Sequence, residues 1–283
     1  MTGRDIDILV ITYNRPEYTA LALRRLLETC DETMRVWIWH NGKHAETLEV
    51  ARSLASHPRV HRFNESADNV GLRTPTNWLW REAGGAYLSK VDDDCLLPAG
   101  WAQRLRQAHE DEPRFGILGC WRFFPEDFDP TLATPKISAF GGGHQVLQNF
   151  WVEGSGYLMK RACLVRQPQL GPRDSFTSFC IARALEGWVN GWYYPFIEQE
   201  HMDDPRSPHS LLHSDEDLRR YMPLSAQTNR VASVKEWQAQ LRRSARIVQA
   251  ASIDRRDYRG WRSMLRRAQQ RIGRLLWRSE RHW

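Results

Sequence analysis

No stretch of this chain approaches the ~20 consecutive apolar residues that a membrane-spanning helix needs. The first apolar run, 6–12, is too short for a signal peptide and lacks a cationic lead. The five cysteines, at 30, 95, 120, 163 and 180, show no C-x-x-C spacing. An odd, scattered set reads as reduced thiols, so the expected location is the cytoplasm. No Gly-rich triphosphate loop with a Lys stands near the first strand, which weighs against a nucleotidyltransferase. No nucleic-acid-reading motif accompanies the many Arg residues, so no nucleic-acid partner is expected. Internal repeats and low-complexity tracts are also missing.

What remains is an ordinary globular composition, 41% hydrophobic and 26% charged over 283 residues. That is enough chain for one large domain or two modest ones. Thirteen Trp is many; such rings fill cores, and they also stack on sugars or sit at membrane interfaces. The net charge of +6 hides an asymmetry. From Arg230 onward there are fourteen Arg and Lys235 against Glu236, Asp254, Asp257 and Glu280, a net +11 that leaves −5 for the rest. Within this tail Trp261, Leu265, Ala268, Ile272, Leu275 and Leu276 follow helical spacing, with Arg residues between them. Such a basic amphipathic helix can lie on an anionic membrane surface, pack on the body of the protein, or join two subunits into an oligomer.

Hydrophobic periodicity divides the body. Strands are expected at 6–12, 36–39, 60–63, 86–91 and 115–121, with helical runs from Pro16, at 45–54, at 75–83 and at 101–109. Strands separated by helices imply an α/β fold with a mostly parallel sheet and helices on both faces. Ligands of such sheets bind outside the carboxyl ends of the strands. Thr12-Tyr13-Asn14, Asn41-Gly42 and Asp92-Asp93-Asp94 all fall there. The segment 122–149, with three Pro and Gly141-Gly142-Gly143, reads as a long irregular stretch that is functional or mobile. Beyond it come a strand and turn at 152–161, a helix at 175–186 and a short strand at 192–194.

The acidic triplet follows an apolar run and closes a strand. Residues two apart on a strand share a face, so Asp92 and Asp94 are expected to point the same way. Two carboxylates so placed repel unless a cation lies between them, and hard oxygen ligands suit Mg²⁺ or Mn²⁺. A solvated turn or a helix cap at Asp94 is the alternative.

Four pieces in order, Val10-Ile11-Thr12-Tyr13-Asn14-Arg15-Pro16, Trp39-His40-Asn41-Gly42, Asn69-Val70-Gly71-Leu72 with Asn77, and Val91-Asp92-Asp93-Asp94, together resemble glycosyltransferase family 2. The resemblance covers about 6–120. Gly154-Ser155-Gly156 and Leu185-Glu186-Gly187-Trp188 resemble the family's acceptor half more loosely. It implies the GT-A fold, a Rossmann-like α/β sheet, in a domain over 1–228: a nucleotide-sugar half at 1–120 and an acceptor half at 121–228. The Arg/Trp-rich helical tail is 229–283. The implied activity is inverting transfer of a sugar from a nucleoside-diphosphate donor to a glycan or lipid-linked acceptor hydroxyl, in cell-envelope or other glycan synthesis. By the same resemblance Asp94 would ligate Mn²⁺ or Mg²⁺, Asp92 would bond the ribose or help hold the ion, and Asp93 would orient the diphosphate or sugar. Thr12, Tyr13, Arg15 and Asn41 would border the nucleotide, and Arg73 would reach a phosphate. A departure is His40, where the family commonly has the Asp that meets the base. Inversion needs a general base; Asp174 is the nearest carboxylate to the family's position, Glu153 is the reserve, and helix capping by Asp174 or Ser175 is the structural alternative. His201 is the expected further metal ligand, while Asp203-Asp204-Pro205 reads as a turn. Trp188, Trp192, Tyr193 and Tyr194 are sugar-stacking or core candidates. A non-catalytic nucleotide-sugar-binding protein is the reading from another class. With the basic tail, the resemblance places the protein in the cytoplasm, peripheral at the inner face of the membrane.

Overall fold

The run Ile6–Thr12 is buried at every position and forms the central strand β1. The computed structural model describes residues 5–260 and 262. After β1 come α1 (Pro16–Thr29), β2 (Met34–Asn41), α2 (Ala45–Leu54), β3 (Val60–Ser66), α3 (Arg73–Glu82), β4 (Tyr87–Asp92), β5 (Cys95–Leu96), α4 (Trp101–Asp111) and β6 (Phe115–Gly119). The second half holds α5 (Pro130–Ala133), β7 (Ile137–Ala139), β8 (Gln145–Asn149), β9 (Tyr157–Lys160), α6 (Phe176–Glu186), β10 (Val189–Tyr194), β11 (Glu200–His201), α7 (Asp215–Arg220), α8 (Leu224–Thr228) and α9 (Val234–Ala250).

The large sheet runs β3-β2-β1-β4-β9-β6-β10-β8-β7. Strands β3, β2, β1 and β4 are parallel, as are β6 and β10; β9, β8 and β7 enter antiparallel. The alternation along β1 sets two layers. Ile6, Ile8 and Val10 pack with Leu23, Leu26, Ala102 and Leu105 of α1 and α4. Leu9 and Ile11 pack with Leu79 and Trp80 of α3 and Phe179 and Cys180 of α6. Each of the Ile, Leu, Val and Phe side chains contributes about 1.5–3 kcal/mol by leaving water.

Local signals explain the ends. Pro16 sits in the first turn of α1, where its missing N–H costs nothing. Ser175 caps α6 in a reciprocal box with Ser178, and Gly187 closes that helix at φ +115°. The cap of α6 is therefore Ser175, not Asp174. Asp7, fully buried in β1, accepts from Arg35 Nε (2.8 Å), Arg35 Nη2 (2.9 Å), Trp37 Nε1 (2.8 Å) and Gly85 N (2.7 Å), so its charge is answered on all sides.

One expectation changes in the second half. The stretch 122–149 is not uniformly irregular: it supplies β7, β8 and α5, with β8 pairing β10 in register from Asn149↔Asn190 to Gln145↔Tyr194. The start of the basic tail packs on the body. Trp237, Leu241, Ala245, Val248 and Gln249 of α9 are buried. Gln249 bonds Asp127 O (2.8 Å) and Asp129 N (2.7 Å), and Lys136 Nζ caps the last turn through Val248 O (3.1 Å) and Ala251 O (2.9 Å). The amphipathic stretch from Trp261 lies, but for Arg262, outside the described residues. No described helix is long and apolar enough to cross a membrane, and all five cysteines are free.

Candidate active site

Parallel register brings the three sequence pieces together. Thr12 stands beside His40, and Ile11 beside Asp92, at the ends of adjacent strands. The chain turns at Asp93 and Asp94 and continues into β5. There β11 pairs antiparallel with β5, His201 opposite Cys95, and Met202 N donates to Asp94 O at 2.8 Å. This two-residue ribbon carries His201 and Asp203 to the acidic turn.

Within the triplet Asp92 takes partners of its own, while Asp93 and Asp94 share Arg15, whose Nη2 lies 3.6 Å from Asp93 Oδ1. Asp92 pairs with Lys90, two residues back on the same strand face, and its backbone N–H donates to Ser155 Oγ at 2.9 Å. Asp93, buried, accepts from Tyr13 N (3.0 Å) and Thr19 Oγ1 (2.9 Å), which ties the loop after β1 to the turn. Asp94 Oδ2 lies 3.1 Å from Arg15 Nη2 and 3.8 Å from His201 Nε2. Arg15 also pairs with Asp203. Asp92 and Asp94 thus line one cavity without sharing a partner, because the strand ends between them.

Ligand atoms of Asp94, His201 and Asp203 all fall within 4.8 Å of one another. Electrostatics mark this cluster as short of positive charge. Burial and the neighbouring Asp94 push the Asp203 carboxyl up to about 8, against the pull of Arg15. Burial likewise raises Asp93 to about 6. For Asp94 burial works upward, but His201 and Arg15 outweigh it and hold the carboxyl below its usual range. Burial and the Arg122 cation lower His201 to about 4, so at neutral pH its imidazole is uncharged and can offer a lone pair. Asp94, a neutral imidazole and Asp203, whose raised carboxyl would give up its proton on meeting a cation, offer ligands that suit Mn²⁺, so the residues fit a divalent cation.

The adjoining cavity, of about 660 Å³, is walled by Tyr13, Arg15, Asn41, Asn69, Gly71, Leu72 and the acidic turn, and by Arg220, Tyr221, Leu224 and Gln227 from the α7–α8 region. Asn41 holds one wall in place: its Nδ2 donates to Asn69 Oδ1 (2.8 Å) and its Oδ1 accepts from Val70 N (2.8 Å). The Tyr13 ring lies against Gly42, where a Cβ would come within 3.3 Å of it. Thr12 is fully buried and meets His40 Nδ1 at 2.9 Å; neither residue lines the cavity.

A smaller cavity, about 350 Å³, shares Gly71 and Leu72 with the first and is lined by Arg73, Lys90, Gly154, Tyr157, Asp174 and Phe176. Asp174 Oδ2 accepts from Gly171 N (2.8 Å) and Gln167 Nε2 (2.9 Å), and Arg73 Nη2 donates to Asp174 O at 3.1 Å. Arg73 is thus tied to the Asp174 backbone. Glu153 is ion-paired to Arg122 at 2.6 Å. Of the aromatic candidates, Trp192 and Tyr193 are core.

Sequence reasoning missed three features. Asp203, read as a turn, is part of the cluster; its position two residues after His201 was the available signal. Lys90, 5% exposed near the end of β4, broke an apolar run and marked itself only by that. The cavity wall from Arg220 to Gln227 left no local signal.

The model of "Glycosyl transferase family 2" matches residues 7–166. Among solved structures the chain is similar to the mannosyltransferase PcManGT from Pyrobaculum calidifontis in complex with GDP-Man and Mn²⁺: 16% identity, TM-score 0.56, 96% of this chain and 82% of that one. It is also similar to S. aureus TarS 1-349 in complex with UDP-GlcNAc (14%, TM-score 0.53, 81% and 67%) and with UDP (12%, TM-score 0.55, 90% and 91%). At such identities the likeness is one of fold. No curated protein matches the sequence.

Proposed function

The chain belongs to glycosyl transferase family 2, and on that premise we propose that this glycosyltransferase moves a sugar, with inversion, from a nucleoside-diphosphate donor to an acceptor hydroxyl using Mn²⁺ or Mg²⁺. The observation that carries the reading is the Asp94–His201–Asp203 cluster beside a cavity at the carboxyl ends of β1, β2 and β4. Held by those three groups, a divalent cation would offset the charge that develops on the leaving diphosphate.

The protein's own residues do the rest. Tyr13, Arg15, Asn41 and Asp93 shape the donor cavity, with Thr12 buttressing its floor from the core and Asp92 at its edge. Arg15, once free of Asp94 and Asp203, is the nearest cation for a phosphate oxygen. Arg73 buttresses Asp174 rather than the diphosphate. Asp174 is the base: Oδ1 has no hydrogen bond among the described residues, and it can take the hydroxyl proton as the acceptor oxygen bonds to the anomeric carbon and the diphosphate departs.

We divide the chain as donor half 1–120, acceptor half 121–228 and basic tail 229–283. The tail's charge supports attachment to an anionic membrane at the cytoplasmic face, near a glycan or lipid-linked acceptor. Donor hydrolysis and transfer by purified protein, with and without Mn²⁺, test the reading. Asp94→Ala should abolish metal-stimulated turnover; equal rates without metal and in the variant would overturn it.

A further inference from the structure

A second large cavity, about 680 Å³, shares His201 with the cluster but belongs to none of the roles above. Its lining includes Arg25 of α1, Arg104 of α4 and Arg122, with Phe124, Phe196 and Gln199. Arg25 and Arg104 are exposed and have no carboxylate partner among the described residues; Arg104 lies over the Tyr193 ring at 4.7 Å. Two carboxylates share the lining. Glu200 is engaged by Ser207 Oγ (2.5 Å) and His209 Nδ1 (2.8 Å), and Glu198 is exposed.

Two further observations point to a ligand. The N-terminus of α4 opens on this cavity through Ala99, Gly100 and Trp101. Gly100, at φ +76°, gives it no side-chain cap, and its first turn has no acidic residue; Trp101 N donates to Pro98 O at 3.4 Å, and the positive dipole end is left without a counter-charge on the helix itself. Gln199 is only 3% exposed, yet neither its amide oxygen nor its nitrogen has a hydrogen-bond partner among the described residues. It is admitted by Gly156, at φ +63°, where any Cβ would overlap Gln199 Oε1. A buried amide left unpaired is costly, and this one, packed at Gly156, forms part of the cavity's wall.

We propose that this cavity seats the acceptor, and that the acceptor is a saccharide carrying a carboxylate or a phosphate. Arg25, Arg104 and the α4 N-terminus hold the anion, and the Phe124 and Phe196 rings give a sugar an apolar face. The inference rests on the glycosyltransferase reading and adds the class of acceptor. Arg122 joins the two sites: it lies 3.4 Å from His201 Nε2 and pairs with Glu153. Glu153 precedes Gly154, which lines the cavity that holds Asp174, so a saccharide anchored here would reach that base past Arg122 and Glu153.

The test uses the full chain with Mn²⁺ and UDP or GDP. A glucuronate-terminated disaccharide, a hexose 6-phosphate and neutral cellobiose are titrated by calorimetry and saturation-transfer NMR. At least one anionic probe should bind about tenfold tighter than cellobiose, and which one does so separates carboxylate from phosphate recognition. Arg25→Ala with Arg104→Ala, both at exposed positions, should remove that preference, and the Lys pair should restore part of it. Equal binding of cellobiose, no binding of either anion, or an unaffected double variant would overturn the proposal. Nucleotide affinity on the same samples reads the donor site separately: if wild-type protein binds no nucleotide, the glycosyltransferase reading has failed, not the acceptor class.

Discussion

Asp203→Asn separates metal binding from folding. The residue is buried between Arg15 and Asp94, and its backbone carbonyl accepts from Trp237 Nε1 of α9 at 2.6 Å. An Asn is isosteric, keeps that backbone anchor and removes a charge that burial and Asp94 oppose. The fold should therefore not suffer: losing the Arg15 pair costs on the order of 1–3 kcal/mol, and relief of repulsion from Asp94 offsets part of it. The metal should suffer badly. Changing a group that merely supports a metal ligand lowers affinity about 10–100-fold, so loss of one of three protein ligands should reach at least about 100-fold. Free Mn²⁺ counted by electron paramagnetic resonance during titration, with UDP or GDP present, measures this directly; urea unfolding of the apo protein measures stability. Mn²⁺ affinity within about threefold of wild type, in a variant of unchanged stability, would refute the role of Asp203.

Other outcomes follow from named contacts. Asp7→Ala strands Trp37 Nε1, Gly85 N and half-buried Arg35, and should lower the unfolding free energy by about 3–5 kcal/mol in urea without altering nucleotide affinity. Burial lowers His109 to about 3, while the unfolded chain has the ordinary value near 6.5. The unfolded state therefore binds the extra proton between those pH values. Stability from this site is complete above about pH 6.5 and is lost toward pH 3, by up to about 5 kcal/mol; His109→Gln should flatten that part of the pH–stability curve relative to wild type. Asp174→Asn should cut kcat by about 100-fold or more with little change in donor KM, and Glu153→Gln should cut it less; the reverse order moves the base role to Glu153. Truncation after residue 260 should leave a folded protein that loses liposome flotation, whereas truncation before 230 also removes Trp237, Leu241, Ala245 and Val248 from the core and should lower Tm sharply.

What was legible in the sequence was what local periodicity encodes. The alternation in Ile6–Thr12, the Leu spacing of α1 and the break after Asp92 each depend on neighbours a few residues away, so the parallel half-sheet and the acidic turn could be read in order. His201 was readable by resemblance. Asp203 was not, because its position depends on a two-residue strand pairing with another two-residue strand, too short to carry a period. The same limit applies to 122–149. Its Pro and Gly residues do mark turns, but they lie around strands of three and five residues, whose existence is decided by distant partners: β8 pairs with β10, and β7 with β8. For the basic tail, whose first helix is α9, the charge was visible and the resting place of α9 was not: the amphipathic stripe legible in the sequence lies further on, from Trp261, and an apolar face fits a membrane or a core equally well. Gln249 decides between them. A glutamine on the buried face is a fault in a lipid-facing helix, but in α9 it bonds the backbone at Asp127 and Asp129, so the polar residue that spoils the stripe fixes α9 to the body.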